Sequence, residues 1–190
     1  MAVWTASTVS GALGARAALT AFSTHKALQT QAAPDQHLWS PERVSAYAVA
    51  GNQAAPTPLA VLRIARLGIE APVLEGTDDE TLNRGVGHID DTAKPGDAGN
   101  SGIAGHRDGF FRPLKDARVG DLVEIETPHD VRHYRIERTW VVDPEDVAVL
   151  DPTPLPSITL VTCYPFYFIG SAPQRFIVRA VLTSSTSTQE

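Results

Sequence analysis

From Leu59 onward the chain alternates apolar and polar residues in short runs, and Gly, Pro, Asn and Asp punctuate the runs. That rhythm belongs to strands joined by turns. "LAVLRIARLGIEAPVLEG" reads as two strands with a break near Leu67-Gly68, and "DDETLNRG" as one short helix ended by Gly85. "GNSGIAGHRD" is a strand of small residues entered from a Gly-rich turn, and "FFRPLKD" has room for a single helical turn. "GDLVEIETPHDVRHYRIERTWVV" is a hairpin with Pro128-His129-Asp130 in its turn. A Pro- and Asp-rich loop, "DPEDVAVLDPTPLP", then leads to the last two strands, "SITLVTC" and "RFIVRAVL". The count is about eight strands in a mostly local order, which predicts an all-β barrel or sandwich with one or two short helices.

Before Leu59 the texture differs. Residues 29–58 are rich in Pro, Gln and Ala and read as a linker. Within it "SPERVSAYAVA" opens a short helix, with Ser40 as its cap and Pro41 in its first turn. Ala6–Leu28 is the most apolar stretch, but Arg16 and several Ser and Thr interrupt it, short of the roughly 18 apolar residues that a spanning helix needs. It reads as an Ala-rich helix or a disordered lead, or else as the remnant of an N-terminal anchor. The expected division is a lead over residues 1–57, a β-domain over 58–183 and a tail over 184–190.

Period two sorts the strand faces. Phe176, Val178, Ala180 and Leu182 share one face of the last strand, expected to be the core, and Arg175, Ile177 and Arg179 share the other. Ile158, Leu160 and Thr162 have one parity, and Thr159, Val161 and Cys163 have the opposite one. Ile103 is a core position, and His106 has the other parity. Cys163, His106 and Arg175 therefore all project from non-core faces.

Composition narrows the chemistry. A net charge of −6 over 190 residues makes a nucleic-acid backbone an unsuitable partner. One cysteine excludes a disulfide framework and any zinc site with several thiolates. A single thiol is either a small buried hydrophobe or, beside an imidazole or guanidinium, a nucleophile. Of six histidines, only His106 ends a Gly/Ala-rich strand where another peptide has room to approach. From the residues alone both readings of Cys163 stay open.

The wording of two segments goes further. "TLVTCYPFYFIGSAPQRFIVRA" resembles the sortase signature, a Thr-Leu-x-Thr-Cys strand followed by a loop and an Arg that begins the last strand. "NSGIAGHRDGFFRPLKDARVGDLVEIET" resembles the histidine segment of that family, and Cys-Tyr-Pro-Phe-Tyr-Phe is most similar to class D. The resemblance covers residues 58–183. It implies a closed eight-stranded β-barrel with a substrate groove on its outer face.

It also implies a cysteine transpeptidase. Cys163 would attack the threonine carbonyl of an LPxTG-like sorting motif, His106 would serve as acid and then base, and Arg175 would hold the oxyanion or the substrate backbone. The implied partners are surface proteins bearing sorting signals and an amine acceptor, a cell-wall peptide or a protein lysine. The implied place is the extracytoplasmic face of the cell envelope, with membrane attachment through the N-terminal segment. In the family the "DPEDVAVLDPTPLP" connection forms one wall of the groove, so Val147, Val149 and Leu150 are candidate pocket residues, and Thr162 and Ala104 candidate floor residues. "YPFYFIGSAP" carries aromatics expected mainly to cover the barrel end. Carboxylates in "EGTDDE" and "DPEDVAVLD" raise calcium, but acidic loops are ordinarily solvated, so no metal or other cofactor is expected. Two rival readings accompany this one: a hydrolytic cysteine peptidase on the same fold, and a non-catalytic envelope β-barrel module with an inert thiol.

Overall fold

Alternating apolar residues give a strand one face to bury, and a closed sheet buries that face without leaving an unpaired edge. The computed structural model, which describes residues 33–52, 56–167 and 170–187, closes eight strands in this way. They are β1 (Ala60–Ile64), β2 (Ile69–Glu75), β3 (Val86–His88), β4 (Asn100–Gly105), β5 (Leu122–Glu126), β6 (Asp130–Val142), β7 (Ser157–Tyr164) and β8 (Gln174–Ser187). Their order around the barrel is β1-β2-β3-β4-β7-β8-β6-β5, and β5 pairs back onto β1. The pairs β2–β3 and β4–β7 are parallel; the others are antiparallel. The chain leaves its sheet neighbour between β4 and β5 and again between β6 and β7, so the order is less local than the sequence suggests.

The inward faces match the alternation. Leu62, Ile64, Ile103, Val123, Ile125, Ile158, Leu160, Val178 and Ala180 fill the core, with Phe176 and Leu182 packed against it. Ile177 has the opposite parity and is nevertheless fully buried. It lies between Trp140 and Val161 across the neighbouring strands, so the outer face of the sheet is covered there.

Three features depart from expectation. Strand β8 continues to Ser187, where a tail was expected from 184, because Ser184 to Ser187 pair with His133 to Asp130. A backbone ladder needs no apolar side chains, which is why a Ser/Thr-rich run hides it. Strand β3 is three residues long, too short to alternate. The compact unit that holds the barrel begins at Pro34, so helix α1 (Pro41–Ala50) belongs to it. Trp39 and Tyr47 pack on the core cluster, and the Ser40 side chain accepts the Arg43 N–H as its cap. The Ala6–Leu28 stretch lies outside the described residues. Among those described, no helix is long and apolar enough to cross a membrane.

Helix α2 (Asp79–Arg84) is capped by Asp78 and ends at Gly85, as the sequence predicts, but for a different reason. Gly85 has an extended φ of −168°, which any residue adopts. What requires glycine is proximity: a Cβ there would lie 2.5 Å from the Pro72 carbonyl oxygen. Gly85→Ala should therefore force β2 and α2 apart and cost about 1–3 kcal/mol, read as a lower urea midpoint at unchanged slope.

Candidate active site

The site is built where β4, β7 and β8 lie side by side. β4 and β7 run parallel in register from Asn100–Ser157 to Gly105–Thr162. β8 flanks β7 in antiparallel register, with Cys163 directly opposite Arg175. Thr162 and Phe176 take the inward parity, so Cys163 and Arg175 share the outer face, where opposed Cβ atoms lie about 4.5–5.5 Å apart. Ala104, beside Val161, has the outward parity too. His106 follows Gly105 by one residue and continues the parity of Ala104. The register thus sets Cys163 and Arg175 together, with His106 at the adjoining strand end. All three are half-buried.

Close packing fixes the turn after β4. A Cβ on Gly105 would lie 2.6 Å from the Phe111 ring, so that ring closes over bare backbone. The His106 carbonyl accepts from the N–H groups of Gly109 and Phe111 at 3.2 and 3.3 Å. Arg107 donates to the Pro165 and Gly170 carbonyls at 3.2 and 2.8 Å, and Arg112 donates to the Phe166 carbonyl. The histidine turn and the segment after the cysteine are stitched together by guanidinium groups. Tyr164 and Phe166 pack with Phe176 over the barrel end, while Tyr167 is exposed.

His106 is held below the ordinary histidine range, first by burial and then by the Arg43 guanidinium, with Asp108 and Asp79 opposing. Its Nε2 is buried and has no hydrogen-bond partner among the described residues. Arg175 uses Nη1 to donate to the Ala172 and Gln174 carbonyls at 3.3 and 3.0 Å. A guanidinium has five N–H donors, so this anchorage leaves capacity for a ligand.

The β6–β7 connection, which carries a 3-10 turn over Val147–Leu150, packs on β4. Buried Asn100 organises it. Its side-chain amide donates to the Val149 and Asp151 carbonyls at 3.2 and 3.1 Å, and its oxygen accepts from Thr159 and Ser157. Arg179 donates to Thr159 Oγ1 at 2.8 Å and to the Val149 carbonyl at 2.6 Å. Leu150 lies on Gly102, where a Cβ would come 3.0 Å from its Cδ2. Nothing in the sequence pattern singles out Asn100 or Arg179; only pairing β4 with β7 and β7 with β8 makes them a unit.

The expected substrate residues divide. Ala104 lies half-buried on the outer face. Val149 and Leu150 are half-buried, Leu150 through its packing on Gly102, and Val147 is 67% exposed. Thr162 does not line a groove floor. It is 2% exposed on the inward face, and its hydroxyl donates to the Gly105 carbonyl at 2.7 Å. It therefore ties β7 to β4 beneath the site. His88 is buried and engaged through Nδ1 with Glu75 at 2.8 Å and through Nε2 with the Ala93 carbonyl at 3.1 Å. Among the described residues no group of three or more His, Cys, Asp or Glu side chains could hold a metal ion.

A thiol paired with a guanidinium on the outer face of a closed, mixed barrel, with an imidazole one residue past the end of the adjoining strand, makes up the candidate site. The sortase domain model matches residues 62–183, and the chain belongs to the sortase family. It is 34% identical over 119 residues to Sortase D of Bacillus subtilis, an overlap covering 62% of this chain and 60% of that protein. It is 37% identical over 125 residues to Sortase SrtE1 of Streptomyces coelicolor, but spans only 36% of that length. A solved structure of a Clostridium perfringens Sortase D5 transpeptidase superposes with a TM-score of 0.63 at 27% identity, covering 87% of this chain and 99% of that one.

Asn100→Ala should remove one hydrogen bond from each of four groups, the Val149 and Asp151 carbonyls and the Ser157 and Thr159 hydroxyls. The expected loss is about 1–3 kcal/mol, with faster hydrogen exchange at the Asp151 amide and its neighbours in the connection, measured by mass spectrometry.

Proposed function

We propose that this protein is a sortase-type cysteine transpeptidase of the cell envelope. It acts at the extracytoplasmic face on surface proteins carrying an LPxTG-like motif. The observation that carries the reading is the direct cross-strand pairing of Cys163 with Arg175, beside the strand end that bears His106. The Clostridium perfringens protein is itself described as a transpeptidase, and the Streptomyces coelicolor Sortase E1 structure holds a tripeptide in its active site.

In this reading the Cys163 thiol passes its proton to His106, the thiolate attacks the carbonyl carbon of the motif threonine, and the C–O π pair moves onto oxygen. Arg175, charged at any working pH, donates N–H groups to that oxyanion. Collapse expels the amine of the following residue, and His106 supplies the proton that the leaving nitrogen needs. A thioester to Cys163 remains. The incoming amine, from a wall peptide or a protein lysine, attacks the thioester carbon while neutral His106 accepts its proton. The thiolate then leaves, and an amide has been exchanged for an amide. Ala104 and Val149 would line the substrate path, and Val147 stands exposed at its rim.

The test is a ligation assay with a library of LPxTG-like peptides and an added amine, read by mass spectrometry. The wild type should yield ligated peptide, and Cys163→Ala should yield none. His106→Asn should lower kcat/KM by about 10²–10⁴-fold. Arg175→Ala should lower it by about 10²–10³-fold, and Arg175→Lys should not restore it. Free acid as the sole product would make the protein a hydrolytic peptidase. A thiol that alkylates only after unfolding would make it a non-catalytic module.

A further inference from the structure

Helix α1 does more than cover apolar surface, because its first turn is bonded to the turn that carries His106. The Ser40 N–H donates to the Asp108 carbonyl at 3.1 Å. The Ser40 hydroxyl donates to Asp108 Oδ2 at 2.9 Å while accepting the Arg43 N–H at 3.2 Å. Arg43 Nε donates to Asp108 Oδ1 at 3.2 Å. Each carboxylate oxygen of Asp108 is thus taken by a different side chain of one helix turn. Arg43 also donates through Nη1 to Asn83 in α2, so one guanidinium joins both helices to the loop.

Apolar contacts hold the same pair of segments. The stem of Arg43 crosses Gly109, where a Cβ would come 3.1 Å from its Cγ. Trp39 meets Phe110 edge-on at 4.8 Å, and Tyr47 meets both rings. Arg112 Nε donates to the Leu38 carbonyl at 3.1 Å. Polar and apolar contacts together pin the turn from His106 to Arg112 along its length.

We propose that Ser40 and Arg43 are positioning residues of the active site, gripping Asp108 so that the His106 turn is held in its working conformation and α1 becomes part of the catalytic apparatus. This rests on the reading of His106 as the proton-transfer group. The grip has an electrostatic side. The charges that act on His106 are Arg43 from α1, Asp79 from α2 and Asp108 from its own turn; Cys163 of β7 and Arg175 of β8 stand on the neighbouring strands. Arg107, in the same turn, is directed to the Pro165 and Gly170 carbonyls. Asp108 stays charged beside this imidazole: burial works against its carboxylate, but the Ser40 hydroxyl and Arg43 outweigh burial and hold it below the ordinary range. Removing the cation of Arg43 strips one repulsion from the imidazolium and leaves Asp108 unopposed. Both changes raise the pH at which His106 protonates.

The experiment uses the full chain with isotope-labelled histidine, following the His106 ring signal against pH by NMR and assigning it by its loss in His106→Asn. Arg43→Gln should move the midpoint upward by about half a unit or more and lower kcat about tenfold with little change in KM. Arg43→Lys, which keeps the charge, should return the midpoint toward wild type. Ser40→Ala, a milder change, should speed exchange of the Asp108 and Gly109 amides in a folded protein. An unmoved midpoint in folded Arg43→Gln, or unchanged exchange in Ser40→Ala, would overturn the proposal. The titration and exchange are read without turnover, so they stand apart from any failure of the ligation assay.

Discussion

Parallel pairing between β4 and β7 is the constraint on which the site depends. Two distant segments of chain meet there with a fixed stagger, and the hydroxyl of Thr162 fastens their ends to each other through the Gly105 carbonyl. A slip of one residue would turn every side chain of β7 to the other face. Cys163 would enter the core and Thr162 would take its place. Because β8 is registered on β7, Arg175 would lose its opposite number in the same step. The inward apolar pair Ile158 and Leu160 opposes such a slip, since it would carry both out of the core. Burial of ordinary aliphatic side chains is thus what aligns the chemistry outside the barrel.

Outside that core lies a second, polar layer. The β6–β7 connection is held on the outer face by Asn100, Thr159 and Arg179, whose bonds run to backbone carbonyls of the connection as well as to one another. Polar groups withdrawn from water are costly unless each finds a partner, and here the network supplies them. The result is a wall attached by directional bonds, with Leu150 and Gly102 as its apolar contact. On the opposite side the Asp108 carboxylate plays the corresponding part for helix α1.

Much of this was legible in the amino-acid order. The strands of the hairpin and the last two strands follow from period-two alternation, and the same parity put Cys163, His106 and Arg175 on non-core faces. The Ser40-Pro41 helix start follows from local capping chemistry and was legible too. The supporting residues were not. Asn100 reaches the carbonyls of Val149 and Asp151, and Asp108 binds Ser40 and Arg43, all far away in the chain. A side-chain hydrogen bond between segments leaves no periodic trace, so nothing in the local pattern marks Asp108 or Arg43. The end of β8 was hidden because its Ser and Thr pair through backbone alone. Thr162 shows two signals in conflict: motif likeness suggests a groove floor, but its parity matches Ile158 and Leu160, and the side chain lies inward with them.

The seating of α1 bears on how small a portable version of this domain can be. Alternation starts at Leu59, which invites a cut just before it. Phe110 is only 7% exposed, and the rings against it belong to Trp39 and Tyr47. Cutting there would bare an aromatic patch beside the histidine turn and strand the Asp108 carboxylate without its two donors. A trimmed version should therefore keep the segment from Pro34 onward, and a barrel cut closer would carry a sticky surface next to its own substrate path.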